Sequence, residues 1–250
     1  MNRNIKLTIE YDGTNFQGWQ IQPKGQRTVQ GEIEGALQKI FKKKIKLIGS
    51  GRTDSGVHAL GQVGNFVTQS TMLTTEITKA LNANLPKDIS ITQTKKVPAK
   101  FHAQYSAKTK TYRYAILCRE NRSALKNFCC LHYPHKLNVT QMRREASALL
   151  GRKDFRSFQA ADAAQRLKNK STIRTIKRVD IQKAGDCLYI EIEGNGFLYK
   201  MVRNIVGTLL SIGRGSLPKG SMRAILLKKD RTYAGDTAKA KGLSLIKVKY

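Results

Sequence analysis

Acidic residues are scarce in this chain of 250 residues. Only 17 Asp and Glu face 46 Lys and Arg, which gives a formal net charge of +29 at pH 7. So few carboxylates argue against a metal-dependent nuclease, whose site needs several of them around Mg²⁺. The excess of positive charge attracts polyanions, and nucleic acid is the commonest polyanion in a cell. A role in solubility alone is the alternative, although this charge costs a folded monomer self-repulsion.

Long apolar runs are also missing from the sequence. The N-terminus lacks the apolar segment of a signal peptide, and nowhere do about 18 apolar residues follow one another. We therefore expect a soluble, cytoplasmic protein.

Cysteine is rare as well. The four cysteines show no CxxC spacing, which fits a reducing compartment. Two of them, Cys129 and Cys130, lie close in sequence to His132 and His135, but zinc sites usually draw their ligands from two separate turns. A loop or strand with incidental Cys and His is the preferred interpretation, and we expect no metal site.

The hydrophobic pattern predicts an α+β fold in which one structural unit occurs twice along the chain. The first half has the order β-α-β-β-α-β, which brings antiparallel strand pairs together with both helices on one face. Its predicted strands are Ile5–Asp12, Ile45–Ile48, Gln62–Thr68 and Ile89–Val97, and its helices are Thr28–Phe41, with Thr28 as N-cap, and Thr74–Leu85.

The second half repeats this order with insertions. Its predicted strands are Thr111–Cys118, Ile173–Gln182, Leu188–Gly194 and Leu243–Val248, and its helices are Thr140–Leu150, Leu198–Ile212 and Met222–Leu227. The basic, unpatterned segment Pro98–Lys110 is the expected boundary, which gives domains 1–100 and 101–250. Two mainly antiparallel sheets side by side would leave a central cleft for a ligand.

A dense basic stretch runs from Arg152 to Arg178. It holds nine Lys and Arg against two acids, with Phe155 and Phe158 among them. A solvated loop and an RNA-contacting loop are both consistent with this composition.

The segment Gly49–Ala59, GSGRTDSGVHA, combines flexible residues with Arg52, Asp54 and His58. Its glycines let the backbone turn sharply and approach a ligand closely. It contains neither GxxxxGK[ST] nor GxGxxG, so it is not a phosphate-binding loop. On spacing alone, a tight turn whose Asp bonds its own backbone is the better interpretation.

The string GRTDSGVHA, however, strongly resembles the signature of the tRNA pseudouridine synthase I (TruA) family. The resemblance spans nearly the whole chain in the family's order. Its further segments are YDGT at Tyr11, FQGWQ at Phe16, TVQG at Thr28, FHA at Phe101, YRY at Tyr112, DF at Asp154, NGFL at Asn195, MVRN at Met201 and GL at Gly242.

The resemblance implies two ferredoxin-like (βαββαβ) halves flanking an RNA-binding cleft, and a homodimer. It also implies isomerisation of uridine to pseudouridine in the anticodon stem-loop of tRNA, at positions thirty-eight to forty. The reaction breaks the bond from uracil N1 to C1′ and rejoins the base through C5. It involves no redox change, so no cofactor is expected.

The resemblance also assigns roles to single residues. Asp54 would be the catalytic carboxylate, which either attacks C1′ or removes the C2′ proton, and Arg203 would pair with it. Tyr112 would lie against the target uracil, and Arg52 would help to bring the uridine out of its stack. Leu245, together with Leu243, would line the uracil pocket. His58 and His102 are expected to be structural.

One position departs from the family pattern. The family usually reads TAPA before the final Gly-Leu pair, whereas this chain has Lys239 in place of the proline. The lysine would loosen that turn or add a phosphate contact. The remaining alternative for the whole protein is a catalytically silent RNA-binding protein of the same fold, which the charge of +29 suits equally well.

Overall fold

The computed structural model describes residues 2–23, 25–160 and 171–250. The chain divides into two compact units, one of Met1–Lys108 with Ser244–Tyr250 and one of Thr109–Leu243. The predicted domains meet at residues 100 and 101, and the predicted second domain includes the C-terminus. The observed first unit instead takes the C-terminal segment, because the last strand pairs with a strand of the first half.

The described ranges contain ten strands and five α-helices. The strands are β1 (Arg3–Tyr11), β2 (Ile48–Gly49), β3 (His58–Thr68), β4 (Ile89–Val97), β5 (Thr109–Leu117), β6 (Leu131–His132), β7 (Gly151–Asp154), β8 (Ile173–Ala184), β9 (Cys187–Gly194) and β10 (Leu243–Lys249). The helices are α1 (Val29–Phe41), α2 (Thr74–Asn84), α3 (Val139–Ala146), α4 (Met201–Arg214) and α5 (Ser221–Lys228). None of these helices has the length and apolar character needed to cross a membrane.

The first unit has a mostly antiparallel sheet in the order β4-β1-β3. Strand β2 pairs antiparallel with β3, and β10 pairs with β3 in parallel. Alternate residues of β1, namely Ile5, Leu7 and Ile9, are completely buried, as expected for a strand with one face on the core. The elements of this unit follow one another as β1-α1-β2-β3-α2-β4, which is the predicted order β-α-β-β-α-β.

Helix α1 follows from its sequence. Thr28 lies in extended backbone, and its hydroxyl accepts a hydrogen bond from Gly31 N, which caps the helix as predicted. Val29, Ile33 and Leu37 recur at helical spacing and are completely buried. The helix ends at Phe41, because the next residue, Lys42, has a φ of 56° and leaves the helical conformation.

The strand predicted at Ile45–Ile48 is wrong in its extent, since only Ile48 belongs to β2. Ile45 and Leu47 are buried as expected. The backbone of Leu47, however, bonds to side chains of α1: its N–H donates to Glu34 Oε1 at 2.9 Å, and its carbonyl accepts from Gln30 Nε2 at 3.1 Å. These bonds replace the ladder bonds that a longer strand would make.

The second unit has a sheet in the order β5-β9-β8-β7, which is antiparallel throughout, with β6 added in parallel to β5. Strands β8 and β9 are joined by a turn in which Gly185 has a φ of 57°. Helix α4 begins at Met201 and not at the predicted Leu198, because Lys200 adopts a left-handed conformation with a φ of 57°. Residues 161–170 of the basic stretch lie outside the described ranges.

Helix α5 begins against a buried carboxylate. Glu145 of α3 is 6% exposed and accepts hydrogen bonds from Gly220 N at 2.7 Å and Met222 N at 3.1 Å. A carboxylate at a helix N-terminus satisfies N–H groups that have no partner inside the helix. One of the few acids in the chain thus links α3 to the start of α5. Together the two units make a mixed α/β protein with mostly antiparallel strands.

Candidate active site

The Asp54 loop, residues 50–57, joins β2 to β3. Asp54 is half-buried and Arg52 is exposed, while Thr53 between them is 7% exposed. The hydroxyls of Thr53 and Tyr11 lie 2.8 Å apart in a buried hydrogen bond. Burial raises the pKa of Tyr11, so this phenol stays protonated. The loop therefore buries the side chain of Thr53 and leaves the carboxylate of Asp54 within reach of solvent.

Hydrogen bonds to main-chain atoms hold the loop on both sides of Asp54. Trp19 N donates to Thr53 O at 3.1 Å, and Ser55 Oγ donates to Phe16 O at 3.1 Å. Val57 N closes the turn by donating to Asp54 O at 3.2 Å. The partner segment, residues 12–19, therefore sets the backbone position of Asp54.

Glycines allow this close approach between the loop and the partner segment. A Cβ on Gly13 would overlap the carbonyl of Val57, and one on Gly18 would meet Thr53 O at 2.6 Å. Gly18 also has a φ of 90°, which L side chains rarely adopt. The YDGT and FQGWQ motifs thus have a structural reason: their glycines bring the partner segment against the loop.

A buried amide fixes the start of the loop. Ser50 Oγ donates to Gln62 Oε1 at 2.6 Å, and Gln62 Nε2 donates to Gly51 O at 3.0 Å. Ser50 and Gln62 are both completely buried. The sequence reasoning did not single out Gln62, although a polar residue within an apolar strand is a signal that could have found it.

His58 lies at the end of the loop and bonds to the partner segment. Its Nδ1 accepts from Gly13 N at 3.1 Å and lies 3.0 Å from Asp12 Oδ1. The first contact uses Nδ1 without a proton and the second uses Nδ1 with one, since this nitrogen cannot accept and donate at once. Burial acts to raise the pKa of Asp12, but hydrogen bonds from Thr14 and the proximity of His58 outweigh it and lower this pKa. These contacts fit the expected structural role of His58.

Leu245 belongs to the same unit as Asp54. It is 1% exposed, and in the parallel pairing of β10 with β3 it lies opposite Ala59, while Ser244 lies opposite His58. The C-terminal strand thus flanks the strand into which the Asp54 loop leads.

Tyr112 belongs to the second unit, on β5. It is 8% exposed, and its ring meets the edge of Phe197 with centroids 5.1 Å apart and planes at 85°. Tyr114 on the same strand face is completely buried and donates its hydroxyl to Lys239 O at 2.7 Å. Burial raises the pKa of Tyr114, which the charge of Arg203 offsets in part.

Arg203 lies in the first turn of α4, in the second unit. Its Nε donates to Ala238 O at 2.7 Å, and Ala238 N donates back to Arg203 O at 3.2 Å. The arginine is therefore fixed to the 231–238 segment by two reciprocal bonds.

The next residue, Asn204, is completely buried and extends this network. Its Nδ2 donates to Phe158 O at 2.8 Å, and its Oδ1 accepts from Thr237 Oγ1 at 2.6 Å and Arg231 Nη2 at 3.3 Å. The sequence reasoning missed Arg231 and Thr237, because nothing in a local pattern connects them to α4.

Arg52, Asp54 and Leu245 thus belong to the first unit, and Tyr112 and Arg203 to the second. Within the described ranges, no group of three or more His, Cys, Asp or Glu lies close enough together to hold a metal ion.

These features define a mixed α/β protein with a half-buried carboxylate in an anchored glycine-rich loop. The chain matches the family model described as tRNA pseudouridine synthase over residues 7–106 and 146–250. It is 46% identical to tRNA pseudouridine synthase A of Thermoanaerobacter sp. (strain X514) over 248 residues, which cover 99% of this chain and 100% of that protein.

A second relative, tRNA pseudouridine synthase A of Acetivibrio thermocellus, is 45% identical over the same shares of both chains. Among solved structures, a chain of a Cbf5-Nop10-Gar1 complex is 10% identical, and the match covers 96% of this chain and 57% of that chain. The TM-score of this match is 0.38, so the likeness carries no conclusion about this chain. The chain belongs to the tRNA pseudouridine synthase family.

Proposed function

We propose that this protein isomerises uridine to pseudouridine in tRNA and that Asp54 is its catalytic carboxylate. The observation that carries this proposal is the match of 46% identity over 99% of the chain to a protein named tRNA pseudouridine synthase A. The net charge of +29 suits a polyanionic substrate.

The geometry of the Asp54 loop supports the role of Asp54. Backbone bonds on both sides of the residue hold its position, and the side chain remains half-buried. Catalysis benefits from groups that are positioned before the substrate binds, because no free energy is then spent on ordering them. An anchored backbone with a reachable carboxylate meets this requirement.

The proposed reaction breaks one bond and forms another in the same nucleotide. The bond from uracil N1 to C1′ breaks, the base rotates, and a bond from C5 to C1′ forms. The C5 proton then leaves, and N1 gains a proton, so the product is an isomer. Asp54 in its ionised form would act by one of two routes. It would attack C1′ and form a bond that breaks when C5 bonds to C1′, or it would remove the C2′ proton and return it to C2′ when the C5–C1′ bond forms.

Further residues take binding roles in the proposal. Tyr112 would lie against the uracil, and the edge contact with Phe197 supports a fixed ring orientation. Arg203 would keep the carboxylate ionised, and its two bonds with Ala238 support a fixed position. Exposed Arg52 would help to bring the uridine out of its stack, and Leu245 would line the uracil pocket.

The finer features implied by the family belong to the same proposal. They are ferredoxin-like halves, which the element order of the first unit supports, and targets at positions thirty-eight to forty of the anticodon stem-loop. The RNA-binding cleft, the homodimer and the cytoplasmic location stay predictions.

The test is tritium release from tRNA labelled at uracil C5. We expect the wild-type protein to release tritium and Asp54→Asn to release none above background, while tRNA binding stays nearly unchanged. Asp186→Asn, at an acid that is 57% exposed in the β8–β9 turn, is the matched control and should keep wild-type activity. Wild-type rates in Asp54→Asn would contradict the proposed mechanism. A wild-type protein that binds tRNA but releases no tritium would instead be a catalytically silent RNA-binding protein.

A further inference from the structure

His102 and Tyr105, in the segment that follows β4, form a stacked pair of rings. Their centroids lie 4.3 Å apart with an interplanar angle of 26°. Tyr105 is 79% exposed, although a tyrosine ring buries a large apolar area when it packs in a core. An aromatic ring that is supported from one side and open to solvent suggests a binding surface.

The loop under this pair is built without the Tyr105 side chain. His102 Nδ1 accepts hydrogen bonds from Gln104 N at 3.2 Å and from Tyr105 N at 3.3 Å. His102 N donates to Ser106 Oγ at 3.1 Å, and Ser106 N donates to His102 O at 2.9 Å. Replacement of the tyrosine ring therefore leaves every bond of this loop in place.

Two buried amides anchor the same segment to the sheet. Asn4 Nδ2 donates to Phe101 O at 2.8 Å, and Asn65 Oδ1 accepts from Ala103 N at 2.8 Å. Asn65 Nδ2 donates to Asn4 Oδ1 at 2.9 Å, and both residues are almost fully buried. A rigid support lowers the ordering cost that a ligand would otherwise pay on binding.

We infer that the His102–Tyr105 pair is a stacking platform for an unpaired base of the RNA substrate. Every base has a flat π face, and stacking on aromatic side chains is how proteins hold bases outside a duplex. A chain with a net charge of +29 attracts the polyanionic backbone of RNA to its surface. The inference deepens the proposed function and rests on it, since it takes tRNA as the ligand.

The test measures the dissociation constant for an in vitro transcribed tRNA by filter binding. We expect Tyr105→Ala to weaken binding by about 5-fold to 150-fold, the range for loss of one stacked base. Tyr105→Phe should bind as the wild type does, and Tyr105→Leu should bind as poorly as Tyr105→Ala. A leucine that restores affinity would mean a simple apolar contact and would overturn the inference.

The salt dependence separates stacking from charge. In a plot of log binding constant against log salt concentration, Tyr105→Ala should keep the wild-type slope, because no phosphate contact is lost. A reduced slope would overturn the inference. Tyr233→Ala removes a tyrosine that is 52% exposed and lies against Lys228, so it serves as the matched control. An equal loss of affinity in the control would also contradict a specific role of the stacked pair.

Two further measurements distinguish the possible failures. Size-exclusion chromatography with light scattering should give the same oligomeric state for Tyr105→Ala and the wild type, and a change would show that the ring contacts a second copy. Tritium release by the wild type tests the proposed function separately. If the wild type releases tritium and Tyr105→Ala binds tRNA normally, the inference fails while the proposed function stands.

Discussion

The Asp54 loop of the first unit and the start of α4 in the second unit are held in place by different means. Around Asp54, backbone groups of residues 16–19 do most of the bonding, and Gly13 and Gly18 permit the close approach. Around Arg203, the side chain of Asn204 joins distant segments, although Gly207 also packs closely, against the carbonyl of Asp236. The first region depends mainly on glycines, which have no side chain and therefore permit close contact between backbones. The second region depends mainly on side-chain hydrogen bonds.

The largest expected effect tests the first region through Gly13→Ala. The added Cβ would overlap the Val57 carbonyl, which is backbone and cannot move without shifting the Asp54 loop. We expect a loss of about 3 kcal/mol in the free energy of unfolding, at the upper end for overpacking, and a strong loss of tritium release. Urea unfolding and the release assay measure the two effects.

Gly35→Ala is the matched control for this substitution. Gly35 is exposed within α1, and a Cβ there would meet nothing within 4 Å. Because glycine is a poor helix former, this change should stabilise the protein by about 0.5–1 kcal/mol. If Gly13→Ala is as well tolerated as Gly35→Ala, the close approach does not hold the Asp54 loop.

The second region is tested by Asn204→Ala. The substitution removes a donor to Phe158 O and leaves Thr237 and Arg231 without their shared acceptor. Loss of partners for buried polar groups should cost about 2 kcal/mol of unfolding free energy, measured in urea. Asn84→Ala, at an exposed asparagine that bonds only within α2, should cost less than about 0.5 kcal/mol. Equal costs for the two asparagines would mean that the Asn204 network contributes nothing of its own.

The difference between the regions explains what the sequence could predict. Local periodicity predicted β1, α1 and β4 well, because each buries a face whose pattern lies within one short segment. The parallel pairing of β10 with β3 could not be predicted, since local patterns do not record which distant strands meet. The start of α4 was predicted too early, because apolar residues already occur before Lys200. Lys200 itself has a left-handed backbone conformation, so the helix begins only after it.

The same limit applies to the candidate site. Glycines beside Arg52 and Asp54 marked the loop as a place of close approach, and the family signature then assigned the chemistry. The roles of Gln62, Asn204 and Thr237 escaped prediction, because each acts through a hydrogen bond to a residue distant in sequence. A polar residue in an apolar strand can be noticed in the sequence, as with Gln62, but its hydrogen-bond partner is known only once the fold is known.

The first region also contains a charged contact, which a pH titration examines. The folded-state pKa of Asp12 is lowered, so its contribution to stability is present above the unfolded value of 3.8 and is lost as the pH falls through the folded pKa. We expect Asp12→Asn to be less stable than the wild type at pH 7, and the gap to narrow below about pH 4. The effect should be small, because the carboxylate is 53% exposed.

Thermal melting from pH 7 to pH 3 gives the measurement. Thr14→Ala keeps the carboxylate but removes the hydroxyl that donates to it at 2.6 Å, so its profile should fall between those of the wild type and Asp12→Asn. A gap that stays constant with pH would show that Asp12 acts through its shape and not through its charge.

The smallest expected effect concerns the backbone of the second region, at Lys239. Its φ of −58° and ψ of 144° lie in the range that proline favours, so the lysine here keeps the conformation of the family's usual residue. Lys239→Pro should therefore raise the free energy of unfolding by about 0.4–1 kcal/mol, by restricting the unfolded chain. The carbonyl that accepts from Tyr114 is retained in the variant. Lys239→Ala is the control and should be nearly neutral. If Lys239→Pro instead destabilises the protein, the fold requires the Lys239 N–H as a hydrogen-bond donor. This turn would then depend on hydrogen bonds in the same way as the segments joined by Asn204.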